Sequence, residues 1–258
     1  MTDSDHVLVS TADGVMTLQL NRLDKKNALT VAMYQTLADN LFAADDDSAV
    51  RVVVIRGGDD CFCSGNDVMD FMQNPPAGED SSVGQFLRAL ATTKKPLVAI
   101  VDGLAIGIGT TMLLHCDLVY LGEKARLKLP FVNLGLCPEA ASSYLLPRLV
   151  GPAKAAELLL LGEEFGAHEV VNLGIANAAF QSETLLADAM VMIQKLVAQP
   201  PEAIRVTKEL MRGPDRAAIA AVMQAEFEQF MGRLMSPEAA EAFQAFAEKR
   251  APDFSKFD

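Results

Sequence analysis

Glu139 stands alone among apolar residues. In the stretch Leu129-Pro-Phe-Val-Asn-Leu-Gly-Leu-Cys-Pro-Glu-Ala-Ala-Ser-Ser-Tyr144 it is the one acid, preceded by Leu134, Leu136, Cys137 and Pro138 and followed by Ala140 and Ala141. Two effects act in opposite directions on such a carboxyl. Desolvation disfavours the anion, raises the pKa and makes the group a proton carrier near neutral pH. A place in the first turn of a helix opening here would instead stabilise the anion through the helix dipole. The residues alone leave the sign open.

Two upstream segments supply candidate hydrogen-bond donors. Cys61-Phe-Cys-Ser-Gly-Asn-Asp67 reads as a strand end, a run of small residues and a helix start near Val68. Asp102-Gly-Leu-Ala-Ile-Gly-Ile-Gly-Thr-Thr111 has the same strand, glycine and helix order. Turns of this kind leave backbone N–H groups unpaired and able to face a ligand oxygen. Gly107-Ile-Gly109 is not a dinucleotide fingerprint, since the third glycine would fall at Met112. Two backbone donors with one base can hold a developing oxyanion while a proton moves.

Other chemistry is disfavoured. Cys61, Cys63, Cys116 and Cys137 fit neither a zinc site nor a C-x-x-C redox motif and read as reduced thiols. His168-Glu-Val-Val-Asn172 lacks the second histidine of a zincin helix, so no metal is expected. His115 lies on an apolar helix and reads as packed. Asp45-Asp-Asp47 reads as a solvated helix end.

The elements that must position these residues alternate. Val7–Ser10 and Val15–Leu20 flank Asp13-Gly14 as a hairpin. Met33, Leu37 and Leu41 follow Thr30, an N-cap, at helical spacing. Val50–Ile55, Pro96–Val101 and Asp117–Leu121 read as buried strands, and Ile108–His115 as a buried helix. This is an α/β core, taken as residues 1–199. From 200 to 258 the pattern becomes helical, over Ile204–Met211, Ala217–Met235 and Pro237–Lys249, with breaks at Gly213-Pro214 and Ser236-Pro237. Phe71–Ser82, containing Pro75-Pro76, reads as a mobile loop.

Half of the 258 residues are hydrophobic, ample for a large core, and the net charge is −12. That charge argues against nucleic acid and anionic membrane surfaces as partners. No apolar run reaches the roughly 18 residues of a membrane span. The Met1–Asp5 start has no apolar run and the Lys256-Phe-Asp258 end is no Ser-Lys-Leu address, so the expected location is cytoplasmic.

Over nearly its whole length the chain resembles the crotonase, or enoyl-CoA hydratase/isomerase, superfamily. The resemblance rests on Asn21-Arg-Leu-Asp-Lys-Lys-Asn-Ala-Leu29, on Phe62-Cys-Ser-Gly-Asn-Asp67, on Lys95 through Asp117, and on the tail from Glu238 to Phe254. It implies a spiral of stacked ββα turns with a C-terminal helical trimerisation region, hence a homotrimer or a dimer of trimers. Hydratases of the family use two glutamates, at the positions of Thr111 and Phe131, and both are absent here. Pro130 through Gly135, Pro138-Glu139 and Ser142-Ser-Tyr144 are instead similar to the peroxisomal-type Δ3,Δ2-enoyl-CoA isomerases, as is Ser64-Gly-Asn-Asp67.

The resemblance implies Glu139 as the catalytic base, with the N–H groups of Ser64 and Ile108 as the oxyanion hole. It implies substrate contacts from Lys25, Lys26, Ala28, Ser64, Gly65, Asn66, Asp67, Val68, Gly107, Phe131 and Leu134. Lys249, Arg250 and Lys256 are further candidate cations for CoA phosphates. The expected partner is an acyl-CoA, which is the substrate, and no cofactor is implied.

Overall fold

The computed structural model describes residues 6–58, 60–76 and 78–257, so the chain ends read above, 1–5 and 258, lie outside the described residues. The hairpin β1 (Val7–Ala12) and β2 (Val15–Leu20) closes at Asp13-Gly14. Strand β1 runs two residues past Ser10, because pairing continues to Ala12 opposite Val15. Helix α1 (Val31–Asp46) starts where Thr30 Oγ1 accepts from Met33 N at 3.3 Å.

Three turns of chain then repeat one plan. The first holds β3 (Val52–Arg56), β4 (Cys61–Cys63), α2 (Val68–Gln73) and α3 (Ser82–Thr92). The second holds β5 (Leu97–Val101), β6 (Leu104–Ile106) and α4 (Ile108–Thr111). The third holds β7 (Leu118–Gly122), β8 (Arg126–Lys128) and α5 (Ser142–Val150). After α6 (Pro152–Leu161) come β9 (Glu164–Gly166), α7 (Ala167–Asn172), β10 (Ala178–Phe180) and α8 (Leu185–Val197). Each turn gives one strand to each of two sheets, ordered β1-β2-β3-β5-β7-β10 and β4-β6-β8-β9. This is the expected spiral of ββα turns.

Strands β3 and β5 are near-continuous apolar runs because both faces of the larger sheet are covered. Val53, Ile55, Leu97 and Ala99 belong to the main core, while Val52, Val54, Val98 and Ile100 pack with Leu185, Ala189 and Ile193 of α8. The period of two sends alternate side chains to opposite layers.

Two expectations about helix and loop bounds change. Ile108–His115 is not one helix: α4 tightens into a 3-10 turn over Met112–His115. Phe71–Ser82 is not one loop, since Phe71 lies inside α2 and Ser82 opens α3. Asp67 caps α2, accepting from Met69 N and Asp70 N, and Phe71 is buried with its ring 6.2 Å from that of Phe230. Burying a phenylalanine contributes about 1.5–3 kcal/mol, enough to anchor so short a helix.

The chain closes with α9 (Pro201–Arg212), α10 (Arg216–Leu234) and α11 (Pro237–Ala247). Lys208 of α9 is buried, donates to Lys95 O and pairs with Asp117 at 2.7 Å, pinning α9 to the starts of β5 and β7. Helix α10 packs back on the core through Phe230. Asp45 is not simply solvated: it accepts from the backbone N–H of Lys94 and Lys95. Among the described residues no helix is long and apolar enough to cross a membrane.

Candidate functional site

The two glycine-containing turns converge on one cavity of about 370 Å³. Ser64, Gly65, Asn66 and Val68 of the first turn line it, as do Gly107 and Ile108 of the second. Phe131, Leu134 and Leu136 of the third turn line it too, and Phe230, Phe243 and Phe246 close it from the C-terminal helices.

Ser64 is not a free donor. Its N–H donates to Lys26 O at 3.0 Å and its hydroxyl to Lys25 O at 3.4 Å. Asn66 is placed differently. Leu29 N donates to Gly65 O and Asp67 N to Leu29 O, the pattern of a parallel bridge in which Asn66's own N–H points away from Leu29. Gly65, at φ +101°, lies between Ser64 and Asn66 and breaks the alternation that would put their N–H groups on one side. The N–H of Asn66 has no partner among the described residues. Gly107, at φ +56°, turns the chain into α4 and leaves Ile108 N–H likewise unpartnered at the helix start. The pair of available donors is therefore Asn66 and Ile108.

Tyr34, fully buried, donates from its hydroxyl to Asn66 Oδ1 at 2.5 Å. This fixes the Asn66 amide with its NH2 group unbonded.

Glu139 lies in a small adjoining cavity of about 30 Å³ that shares Asn66, Phe71 and Phe230 with the larger one. Its Oε1 accepts from the hydroxyl of Thr111, itself fully buried, at 2.5 Å. Glu139 does not sit in the first turn of a helix, because α5 begins at Ser142. The intervening Ala140 and Ala141 have φ of +57° and +55°. Left-handed backbone costs a non-glycine residue about 1–2 kcal/mol, so the surroundings must impose it. They do so from three sides. His115 Nε2 donates to Ala140 O at 2.8 Å, and Ser142 N and Oγ donate to Glu139 O. Buried Glu226 of α10 accepts from Ala141 N at 2.6 Å and from Ser143 N and Oγ at 3.0 and 2.5 Å.

The carboxyl that accepts from the N–H groups at the N-terminus of α5 is thus Glu226, and Glu139 is left to desolvation. Burial pushes the Glu139 carboxyl up from 4.5 to about 8; the Thr111 hydrogen bond opposes that rise and the nearby Glu226 charge adds to it. Burial also raises Glu226, against its three hydrogen bonds. His115 is pushed down to about 4 by burial, so it is neutral and packed.

Several expected contacts lie elsewhere. Lys25, Lys26 and Ala28 line neither cavity, and the two lysine side chains are exposed. Asp67 is spent on capping α2 and on an ion pair with Arg22 at 2.7 Å, which hold its carboxyl below the usual range against burial. Arg250 and Lys256 both pair with Glu241. The basic residue in the cavity wall is Lys128, which sequence reasoning passed over. Glu226 was also missed, although an acid between Met223, Phe227 and Phe230 on one helix face is a visible anomaly.

The profile described as Enoyl-CoA hydratase/isomerase matches residues 10–256. Human enoyl-CoA delta isomerase 2 is 32% identical over 97% of this chain, which spans 65% of that longer protein. The 2,3-dehydroadipyl-CoA hydratase of Escherichia coli is also 32% identical, over 96% of this chain and 98% of its own. The solved structure of Pseudomonas aeruginosa OdaA superposes with a TM-score of 0.91 at 50% identity, covering 94% of this chain and 98% of that one. With a profile match spanning nearly its whole length, the chain belongs to the enoyl-CoA hydratase/isomerase family.

Proposed function

We propose that the protein is a Δ3,Δ2-enoyl-CoA isomerase of fatty-acid metabolism. The observation that carries this reading is Glu139: a buried carboxyl with a pKa raised to about 8, in a small cavity that shares Asn66 with the larger one where the two backbone donors are unpartnered, while Glu226, the other carboxyl of its cavity, is taken up by Ala141 and Ser143. The thioester oxygen of a 3-enoyl-CoA accepts from the N–H groups of Asn66 and Ile108. Glu139 removes a proton from C2. The dienolate spreads its charge onto the oxygen, where each donor is worth about 2.7–4 kcal/mol. The protonated acid then returns the proton at C4, giving the 2-enoyl-CoA. One carboxyl serves both steps because a pKa near ambient pH suits base and acid alike. A proton shift needs neither metal nor redox cofactor.

Hydration is the competing reading, since family members of both kinds are equally similar. It needs a second group to activate water. Thr111 spends its hydroxyl on Glu139, and Phe131 is a buried apolar wall. The test is to incubate the protein with 3-hexenoyl-CoA and, separately, 2-hexenoyl-CoA, with Glu139→Gln as control. Conversion of the first without change of mass, lost in the variant, is expected. Gain of water by the second, surviving the substitution, would reject the isomerase reading.

A further inference from the structure

The Glu139 cavity has a second neighbour. Between α3 and α10 lies a cavity of about 130 Å³ that shares Leu87, Met223 and Phe227 with the one holding Glu139. The three cavities therefore form a row: the large one reached by Asn66 and Ile108, the small one at Glu139, and this third. The walls between the last two are side chains, one of them a methionine, which repacks readily.

The third cavity has two arginines in its lining. Arg216 and Arg88 are in its wall, with exposed Glu79 as the one acid there. Arg216 pairs through Nη1 with Glu209 at 2.6 Å. Its Nε is buried without a hydrogen-bond partner among the described residues, and Nη2 has none either. A buried N–H of a charged group without an acceptor is costly and calls for a missing partner. Nε and Nη2 form one edge of the guanidinium fork, the edge that takes a carboxylate with two parallel hydrogen bonds.

We propose that this third cavity is a binding site for a carboxylate at the far end of the substrate's acyl chain, with Arg216 as its receptor. Resting on the acyl-CoA reading of the Glu139 site, this assigns the enzyme to ω-carboxylated enoyl-CoA thioesters rather than to methyl-ended ones alone. The thioester lies at Asn66 and Ile108, the reacting carbons at Glu139, and the terminal carboxylate on the Nε and Nη2 edge of Arg216. Arg88 stands in the same wall, with Nη1 4.0 Å from the carboxylate of exposed Asp80, and Arg216 is therefore the receptor on which the proposal rests.

Two series of 3-enoyl-CoA thioesters, from hexenoyl to dodecenoyl, test it: one ending in methyl, the other in carboxylate. At one chain length kcat/KM for the carboxylate series exceeds that of its methyl partner by about tenfold or more, as expected for a lost or gained bidentate pair. In Arg216→Met the loss for the carboxylate series is about tenfold larger than the loss for the methyl series, and Arg216→Lys restores part of the preference. A preference absent at every length, or surviving in R216M, would overturn the proposal. Calorimetric binding of the saturated analogues of both series reads the site without turnover. If neither series is isomerised but carboxylate-ended analogues bind more tightly and R216M removes the difference, the isomerase reading fails and the site stands. Equal binding of both series by the wild-type protein rejects the site.

Discussion

Replacing Thr111 by valine isolates the one contact that restrains the pKa of Glu139. The side chain is fully buried, valine has nearly its shape, and the lost group is the hydroxyl donating at 2.5 Å to Glu139 Oε1. A hydrogen bond to a charged group contributes about 1.5–3 kcal/mol, and one pKa unit corresponds to about 1.4 kcal/mol. Losing it therefore raises the Glu139 pKa by about 1–2 units, from a starting value of about 8. In the proposed reaction Glu139 must be ionised to take the C2 proton, so kcat/KM is expected to rise with pH through that pKa. In Thr111→Val the rising limb moves to higher pH, and activity at neutral pH falls by about ten- to a hundredfold, while the ratio to wild type recovers as pH rises. The assay is the double-bond shift of 3-hexenoyl-CoA followed across the pH range. Titration of carbon-13-labelled glutamate by NMR reads the same pKa without substrate. A rising limb that stays in place or moves to lower pH would refute the reasoning, and would mean that the hydroxyl does not hold the carboxylate. Thr111→Ser keeps the donor and is expected to keep the profile.

Glu139→Gln changes stability with a defined sign. The folded-state pKa lies above the unfolded value, so the native acid binds its proton more tightly. The cost of burying its charge is absent below about pH 4.5, grows as pH rises, and is complete above about 8. The glutamine variant is accordingly expected to be more stable than wild type at pH 8–9, by at most about 5 kcal/mol, and by much less at pH 4; thermal denaturation at both pH values measures this, and an equal difference at the two would contradict it. Glu226→Ala leaves the N–H groups of Ala141 and Ser143 without their acceptor, at about 1–3 kcal/mol each. It is expected to lower Tm by about 5 °C or more and to lower kcat more than it raises KM, because the turn presenting Glu139 loosens. An unchanged kcat would show that His115 and Ser142 hold the turn by themselves.

Much of this architecture was legible in apolar runs and turn residues. The hairpin at Asp13-Gly14, the cap at Thr30, and the breaks at Gly213-Pro214 and Ser236-Pro237 each depend on neighbours a few positions away, and local chemistry decides them. The points that sequence reasoning missed depend on contacts across long spans. Ser64 and Asn66 are both small polar residues beside one glycine, and nothing local says which N–H is taken. Lys26 O and Leu29 decide it, from some forty residues upstream. Lys128 enters the site only because β8 lies beside β6 in the smaller sheet.

The sign of the Glu139 shift likewise depends on contacts across a long span. Local order suggests a helix N-terminus that would lower the pKa, because Ala140, Ala141 and Ser142 follow directly. The chain avoids this by inserting two left-handed alanines and by filling the N-terminus of α5 with a carboxylate from α10, 85 residues beyond Ala141. Glu226 thereby takes the backbone donors that would otherwise stabilise an anion at Glu139, and its own charge adds to the rise. A helix that packs back on the core through Phe230 thus also leaves the proposed base protonatable near neutral pH. Substitutions that lift α10 from the core are expected to cost the proton shift its base before they cost the spiral its strands.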